Sequence, residues 1–203
     1  MIECEWLLFL AQLPATPSSL RVNAWRRLRD AGSTSLQNGV WILPRNPENT
    51  IFMERLLATI KQSGASGQIF LVQGLGQAIH EDILARFETD RDQEYDEFLE
   101  QCEAFINEIE KETHHQKFTF AELEENEQNL QRLRKWIAKI QKRDFFKTKK
   151  SQDAITAFQN CRQWLQNYTR QVYTQEGIEA PPAADILSEN TGLADQGKNG
   201  DLE

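Results

Sequence analysis

The stretch SLQNGVWILP at residues 35–44 decides how many strands the first part of the chain contains. Asn38-Gly39 between apolar residues is the strongest short-range signal for a two-residue β-hairpin turn. Only a few residues separate this turn from Gly32, which ends the preceding segment, so little room remains for a first strand. The stretch is therefore either a tight hairpin or one bent strand with a bulge at Gly39.

The segments on both sides alternate between strand and helix patterns. They are a buried strand at 5–13, a helix at 18–31, the stretch itself, a helix at 47–63 and a strand at 68–73. This order predicts a small α+β domain over residues 1–75 with two helices on one face of a sheet. A ferredoxin-like βαββαβ arrangement needs a fourth strand, which a split at Asn38-Gly39 would supply.

From residue 79 the apolar residues recur at helical spacing, interrupted near residues 113–120 and again after residue 143. This pattern predicts a three-helix antiparallel extension over residues 76–174. Cys102 and Cys161 fall on its apolar stripes and are expected in the core. Residues 175–203, rich in Pro, Gly, Ala and acids, are predicted to be a disordered acidic tail.

The composition describes a water-soluble, globular chain. Of 203 residues, 39% are hydrophobic and 27% are charged, and no apolar run approaches the roughly 20 residues of a membrane span. The N-terminus carries Glu3 and Glu5 and no basic region, which is unlike a secretory signal. Three widely spaced cysteines fit a reducing compartment. We therefore expect a cytoplasmic protein that does not cross a membrane.

The net charge of −8 hides a strong segregation of charge along the chain. Residues 76–129 carry 4 basic and 17 acidic residues, for −13, whereas residues 130–174 carry 11 and 2, for +9. If the acidic helix packs against the basic one, each absorbs much of the other's charge. Lysines beyond the end of the basic helix are expected to stay free.

Two basic clusters are candidate contacts for double-stranded DNA, because clustered guanidinium and ammonium groups neutralise phosphates. The candidates are Arg26, Arg27 and Arg29 on the first helix and Arg143, Lys147, Lys149 and Lys150 near the end of the basic helix. The alternative is that these charges serve only solubility. Arg21 falls inside the apolar arc of the first helix and is expected to be structural.

Enzyme signatures do not occur in the chain. Ser-His-Asp, P-loop and G-x-G-x-x-G patterns are absent, and the adjacent His114-His115 has no metal-ligand spacing around it. We therefore expect a protein that is not an enzyme and that needs no metal or cofactor.

Two blocks of the sequence resemble the N-terminal region of the ChrB family of chromate-resistance regulators. The first is WLLFLAQLPATPSSLRVNAWRRLRDAG followed by STSLQNGVWILP, and the second is LQRLRKWIAKIQKRDFF with the later CRQWLQNYTRQVY. The resemblance covers roughly residues 5–173. It picks out Arg21, Trp25, Gln37, Asn38, Gly39, Trp41, Asp144, Phe145 and Phe146 as structural or motif residues, the two phenylalanines being expected in the core. It implies a protein that binds promoter DNA and responds to chromate.

The first 75 residues also look like the ferredoxin-like domain of CRISPR-associated type-two endoribonucleases and PaaX-type repressors. In those families the strand after the first helix is bent, and its start lies at a dimer seam. The resemblance therefore favours one kinked strand over residues 34–43, with a bulge at Gly39, and a homodimer through this domain. The ribonuclease aspartate at the end of the first strand is missing, since Gln12 stands there, so nuclease chemistry is not expected.

The sequence thus predicts a DNA-associated transcriptional regulator of the chromate-resistance type. One alternative is a non-enzymatic adaptor that binds another protein through its charge-segregated helices. A second is a direct binder of chromate or sulfate, because arginines and helix N-termini hold dianions.

Overall fold

The structure, a computed structural model, describes residues 5–14 and 18–180. Its elements are β1 (Trp6–Gln12), α1 (Ser19–Asp30), β2 (Thr34–Gln37), β3 (Val40–Pro44), α2 (Pro47–Gln62), β4 (Ser66–Val72), α3 (Gln77–His114), α4 (Phe120–Arg143) and α5 (Lys149–Gln175). Most of the acidic tail predicted over residues 175–203 lies outside the described residues. Within the described ranges, no helix combines the length and apolar character required to cross a membrane.

The four strands form one sheet in the order β2-β3-β1-β4, and every neighbouring pair is antiparallel. The predicted α+β class is confirmed, with a sheet domain followed by three helices. The element order and strand order are both compatible with the expected ferredoxin-like arrangement.

The interpretation of residues 34–43 as one kinked strand is wrong, because β2 and β3 form a hairpin around Asn38-Gly39. The irregularity lies between Ser35 and Gln37, before the turn and not at Gly39. Gly39 adopts φ +77°, and its carbonyl oxygen accepts a 2.9 Å hydrogen bond from the Ala11 amide of β1. Four residues suffice for β2 since it is an edge strand that pairs only with β3.

The chain divides into two compact units. Among the described residues, we call those within 1–93 and 141–148 the sheet unit, and those within 94–140 and 149–180 the helical unit. The predicted boundary at residue 75 coincides with the connection between β4 and α3, whereas the compact division lies inside α3. Residues 76–93 and 141–148 are thus grouped with the sheet.

Both faces of the sheet are covered within the sheet unit. One face packs against α1 and α2, through a core that includes Phe9, Leu28 and Leu56. The other face packs against the first part of α3, where Trp6 stacks on Phe87 with ring centroids 5.6 Å apart. A third set of contacts comes from the segment 141–148. Its residues Phe145 and Phe146 are half-buried, pack against the edges of these clusters and contact Phe87.

The helical unit has its own core, formed by the remainder of α3 with α4 and α5. Cys102 and Cys161 are buried in it, as their positions on the apolar stripes predict. The Cys161 thiol donates a 3.5 Å hydrogen bond to the Cys102 carbonyl oxygen. A hydrogen bond with the Cys102 thiol and burial both raise the pKa of Cys161, so this thiol stays protonated at neutral pH.

A carboxyl group is buried in the helical unit, where α3 meets α4. Glu112 is 5% exposed, and its Oε2 accepts a 2.6 Å hydrogen bond from Asn126 Nδ2. Burial raises the pKa of Glu112, the hydrogen bond from Asn126 lowers it by less, and the negative charge of Glu122 adds to the increase. The net effect is a carboxyl group that retains its proton more readily in the folded protein.

Replacing Glu112 with glutamine is expected to remove a pH-dependent loss of stability. Above the ordinary glutamate pKa the folded protein binds more protons than the unfolded chain, so stability falls as pH rises through the raised folded-state pKa. Glutamine keeps an acceptor for Asn126 and never ionises. The variant should gain stability relative to the original chain between pH 4 and pH 7, by about 1.4 kcal/mol for each unit of pKa increase.

Urea denaturation at pH 4 and at pH 7 measures the free energy of unfolding of the Glu112→Gln variant and of the original chain. Glu110→Gln, at an exposed position of α3 two residues away, is the matched control and should show no such gain. An equal pH dependence in the Glu112 variant and the original chain would contradict the prediction.

Candidate functional site

The sheet unit contains a cavity of about 1010 Å³. It is bounded by the end of β1, by α1, by the β2–β3 hairpin and by residues 82–90 of α3. The residues that carry its chemistry are Gln12, Arg21, Trp25, Arg29, Thr34, Asn38, Trp41, Asp82, Arg86 and Asp90. Aromatic and charged side chains therefore share one concave surface.

Helix α1 contributes a regular row of three cavity residues. Arg21, Trp25 and Arg29 follow each other at four-residue spacing, which places them on one side of the helix about 6 Å apart along its axis. Ala24 and Leu28 are buried on the adjacent side of α1 and fix its orientation on the sheet. Trp25 lies at the margin of this apolar face, as its spacing predicts, and is 50% exposed.

The hairpin supplies a second aromatic group to the cavity. Trp41 on β3 is paired with Phe9 of β1 and with Ser35 of β2, so the sheet fixes the position of its backbone. Asn38 and Gly39 at the hairpin turn also line the cavity. The turn therefore helps to build the site as well as the fold.

Two carboxylates at the cavity already have partners. Arg86 Nε donates to Asp82 Oδ2 at 3.0 Å, and Thr34 Oγ1 donates to Asp90 Oδ2 at 2.5 Å. The guanidinium of Arg29 makes no hydrogen bond or ion pair with any residue in the described ranges 5–14 and 18–180. Arg29 is therefore a cation available to bind an anionic ligand, and the cavity lining holds three arginines against two aspartates.

The three arginines predicted as DNA contacts do not lie on one face of α1. Arg26 points outward and is exposed, and within the described part of the chain its side chain has no hydrogen-bond or ion-pair partner. Arg27 donates a 3.3 Å hydrogen bond to Thr59 Oγ1 of α2. Arg29 lines the cavity. A single phosphate-binding row over all three residues is thus not formed, because α1 separates them around its axis.

In the second basic cluster, some cations have acidic partners and others do not. Lys150 binds the Asp96 carboxylate through both oxygens at 2.5 and 2.6 Å, so the expectation that it stays free is wrong. The Arg143 side chain is only 14% exposed and its Nη1 lies 3.8 Å from Asp30 Oδ1. Lys147 and Lys149 are exposed, and neither side chain pairs with another described residue.

Most motif residues of the first block meet at the cavity. Arg21, Trp25, Asn38, Gly39 and Trp41 all line it, although they are separated in the chain.

The other motif residues lie elsewhere. Gln37 is exposed on β2. Asp144 is buried and accepts the Thr148 amide at 3.2 Å, which closes the turn that carries Phe145 and Phe146. Asp144, Phe145 and Phe146 therefore make contacts within the fold, whereas the Gln37 side chain is exposed to solvent.

Sequence reasoning missed the contribution of α3 to the cavity, namely Arg86, Asp82 and Asp90. No local signal marks these residues, since they resemble the many other charged residues of an acidic helix. His114, the last residue of α3, and His115, which follows it, are the adjacent pair considered as metal ligands. Over the described residues, no group of three or more His, Cys, Asp or Glu side chains is placed to hold a metal ion.

Comparison with known proteins gives one family for most of the chain. Residues 21–178 match the family model described as Protein ChrB, N-terminal. Protein ChrB of Cupriavidus metallidurans is 28% identical over 99 residues, which are 48% of this chain and 29% of that protein. The match therefore spans less than a third of the relative's length.

Proposed function

The chain belongs to the ChrB N-terminal family, and on this basis we propose that it is a DNA-associated transcriptional regulator of the chromate-resistance type. In this proposal the protein acts in the cytoplasm and is not an enzyme. Its role is to bind duplex DNA at a promoter.

The observation that carries the proposal is the exposed guanidinium of Arg26, which no carboxylate within the described residues neutralises. Helix α1 carries four arginines against one acid, and that acid, Asp30, lies near Arg143. Lys147, at the end of the same compact unit, is a second exposed cation. Such groups bind phosphates and release the counterions condensed on DNA.

The double variant Arg26→Ala/Lys147→Ala is expected to bind promoter duplex about tenfold more weakly near 100 mM salt. Each lost phosphate contact also lowers the slope of log affinity against log salt by about 0.9. Fluorescence anisotropy with a labelled duplex from the region upstream of the gene measures both quantities.

Lys61→Ala/Arg170→Ala is the matched control, because both side chains are exposed and the charge change is the same. It should bind as the original chain does. Equal losses in the two double variants, or binding that does not depend on salt, would contradict the proposed interface.

We further propose that the regulator is a homodimer formed through the sheet unit. Two-fold symmetry is the usual means by which regulators match pseudo-palindromic DNA. The sheet ends in the edge strands β2 and β4, and β4 exposes Phe70 and Leu71.

Direct binding of chromate or sulfate is a second candidate function. The cavity supports it, since Arg29 has no partner among the described residues and both carboxylates on the α3 wall are already engaged. A guanidinium in this state is a suitable ligand for an oxyanion. Within residues 5–14 and 18–180, no contact or cavity favours the adaptor alternative in the same way.

A further inference from the structure

We propose that the cavity of the sheet unit binds a small molecule that combines a planar aromatic ring with an anionic group, at about the size of a nucleotide. This ligand differs from the DNA phosphates of the proposed function, and it is bound by Trp25 and Arg29 and not by Arg26. The inference therefore does not depend on DNA binding.

The first argument concerns the two indoles. Trp25 is 50% exposed although it belongs to a well-packed helix, and Trp41 stands in the hairpin wall of the same cavity. Rigid aromatic side chains on a concave surface offer flat apolar area to a ring at a low cost in conformational entropy. An aromatic ligand would cover this area and remove it from water.

The second argument concerns the position of charge relative to the rings. Arg29 follows Trp25 at four-residue spacing, about 6 Å further along α1. Its guanidinium has no partner among the described residues, and a guanidinium can bind a carboxylate or phosphate through two parallel hydrogen bonds. A ring on Trp25 thus places an attached anion within reach of Arg29.

The third argument concerns size. A tetrahedral oxyanion occupies only a small part of a cavity of about 1010 Å³, which is at the upper end of the volumes that bind drug-sized molecules. A bare oxyanion would also leave the half-exposed Trp25 and the partly buried Trp41 without a ring to cover them. A nucleotide or an aromatic carboxylate would use the ring-binding and anion-binding groups together.

Isothermal titration calorimetry tests the inference with four probes. Adenosine 5′-monophosphate and 2-naphthoate carry a ring and an anion, adenosine carries only the rings, and sulfate carries only the anion. We expect at least one of the first two to bind tenfold or more tightly than both adenosine and sulfate. If adenosine 5′-monophosphate binds more tightly, the ligand is a nucleotide, and if 2-naphthoate does, it is an aromatic carboxylate.

Two variants assign the binding to the cavity. Trp25→Ala and Arg29→Gln should each weaken binding of the preferred probe at least tenfold. Trp164→Ala and Arg170→Gln, at exposed positions of the helical unit, should leave it unchanged. Thermal melting of each variant verifies that the fold is retained, and Trp25→Phe, which keeps a ring, should restore much of the affinity.

Several outcomes would overturn the inference. Sulfate binding as tightly as the ring-bearing anions would make the cavity a plain oxyanion site, and binding by none of the probes would leave it without this function. Retained affinity in the folded Trp25→Ala variant would also contradict it. Arg26→Ala/Lys147→Ala should keep full affinity for the preferred probe, so failure of DNA binding and failure of this inference are separately visible.

Discussion

Replacing Phe87 with alanine is expected to lower the free energy of unfolding by about 3–5 kcal/mol, the range for a large aromatic removed from a core. Phe87 is buried on the sheet-facing side of α3. Its ring stacks on Trp6 at 5.6 Å and meets Phe145 and Phe146 edge to face at 6.3 and 5.5 Å. One truncation would therefore open a cavity among three other aromatic rings.

Guanidinium denaturation followed by circular dichroism measures this loss. Ile79→Ala is the matched control, because Ile79 lies on α3 of the same unit and is 48% exposed. That substitution should cost less than about 1 kcal/mol. Similar losses for the two variants would mean that the aromatic cluster does not hold residues 141–148 to the sheet.

The Phe87→Ala substitution is also expected to weaken ligand binding in the cavity. Residues 82–90 of α3 line it, and Phe87 anchors that part of the helix to the sheet. A Phe87→Ala variant that remains folded should thus lose affinity for the cavity ligand although Phe87 does not line the cavity.

Replacing Gly39 with alanine is expected to cost about 2–5 kcal/mol. At φ +77° an L side chain adds about 1–2 kcal/mol. In addition, a Cβ atom at Gly39 would lie 2.7 Å from the Ala11 carbonyl oxygen, and relieving this clash with a neighbouring strand adds about 1–3 kcal/mol. The hairpin would have to move away from β1.

Gly64→Ala separates the two contributions. Gly64 has the same φ of +77°, but a Cβ atom there would meet no other atom within 4 Å. The Gly64→Ala variant should lose only the stability that a side chain costs at this positive φ, about 1–2 kcal/mol. Thermal denaturation measures the loss of stability in both variants. Equal losses would show that the close approach of Gly39 to Ala11 does not add to the cost of the substitution.

The sequence predicts the elements that depend on local periodicity. The apolar stripe of α3, the position of α1 with Trp25 at its margin, and the burial of Cys102 and Cys161 all follow from residues three or four positions apart. These features are confirmed because a helix brings such residues onto one face wherever it packs.

Residues 34–43 do not contain enough information to predict the β2–β3 hairpin. Asn38-Gly39 permits both a turn and a bulge, and the alternation of Leu36 to Ile42 agrees with a straight strand. The register shift between Ser35 and Gln37 breaks that alternation, and the Ala11 amide of β1 binds the Gly39 carbonyl. Pairing with strands elsewhere in the chain therefore decided between the two conformations.

The sequence by itself determined the helices, most strands and the apolar faces, since these depend on backbone geometry over a few residues. Only the tertiary structure decided which cations remain available. Lys150 meets Asp96, 54 positions away, while Arg29 reaches the cavity without a partner among the described residues. Charge is encoded residue by residue, but the pairing of charges depends on distances that folding alone sets.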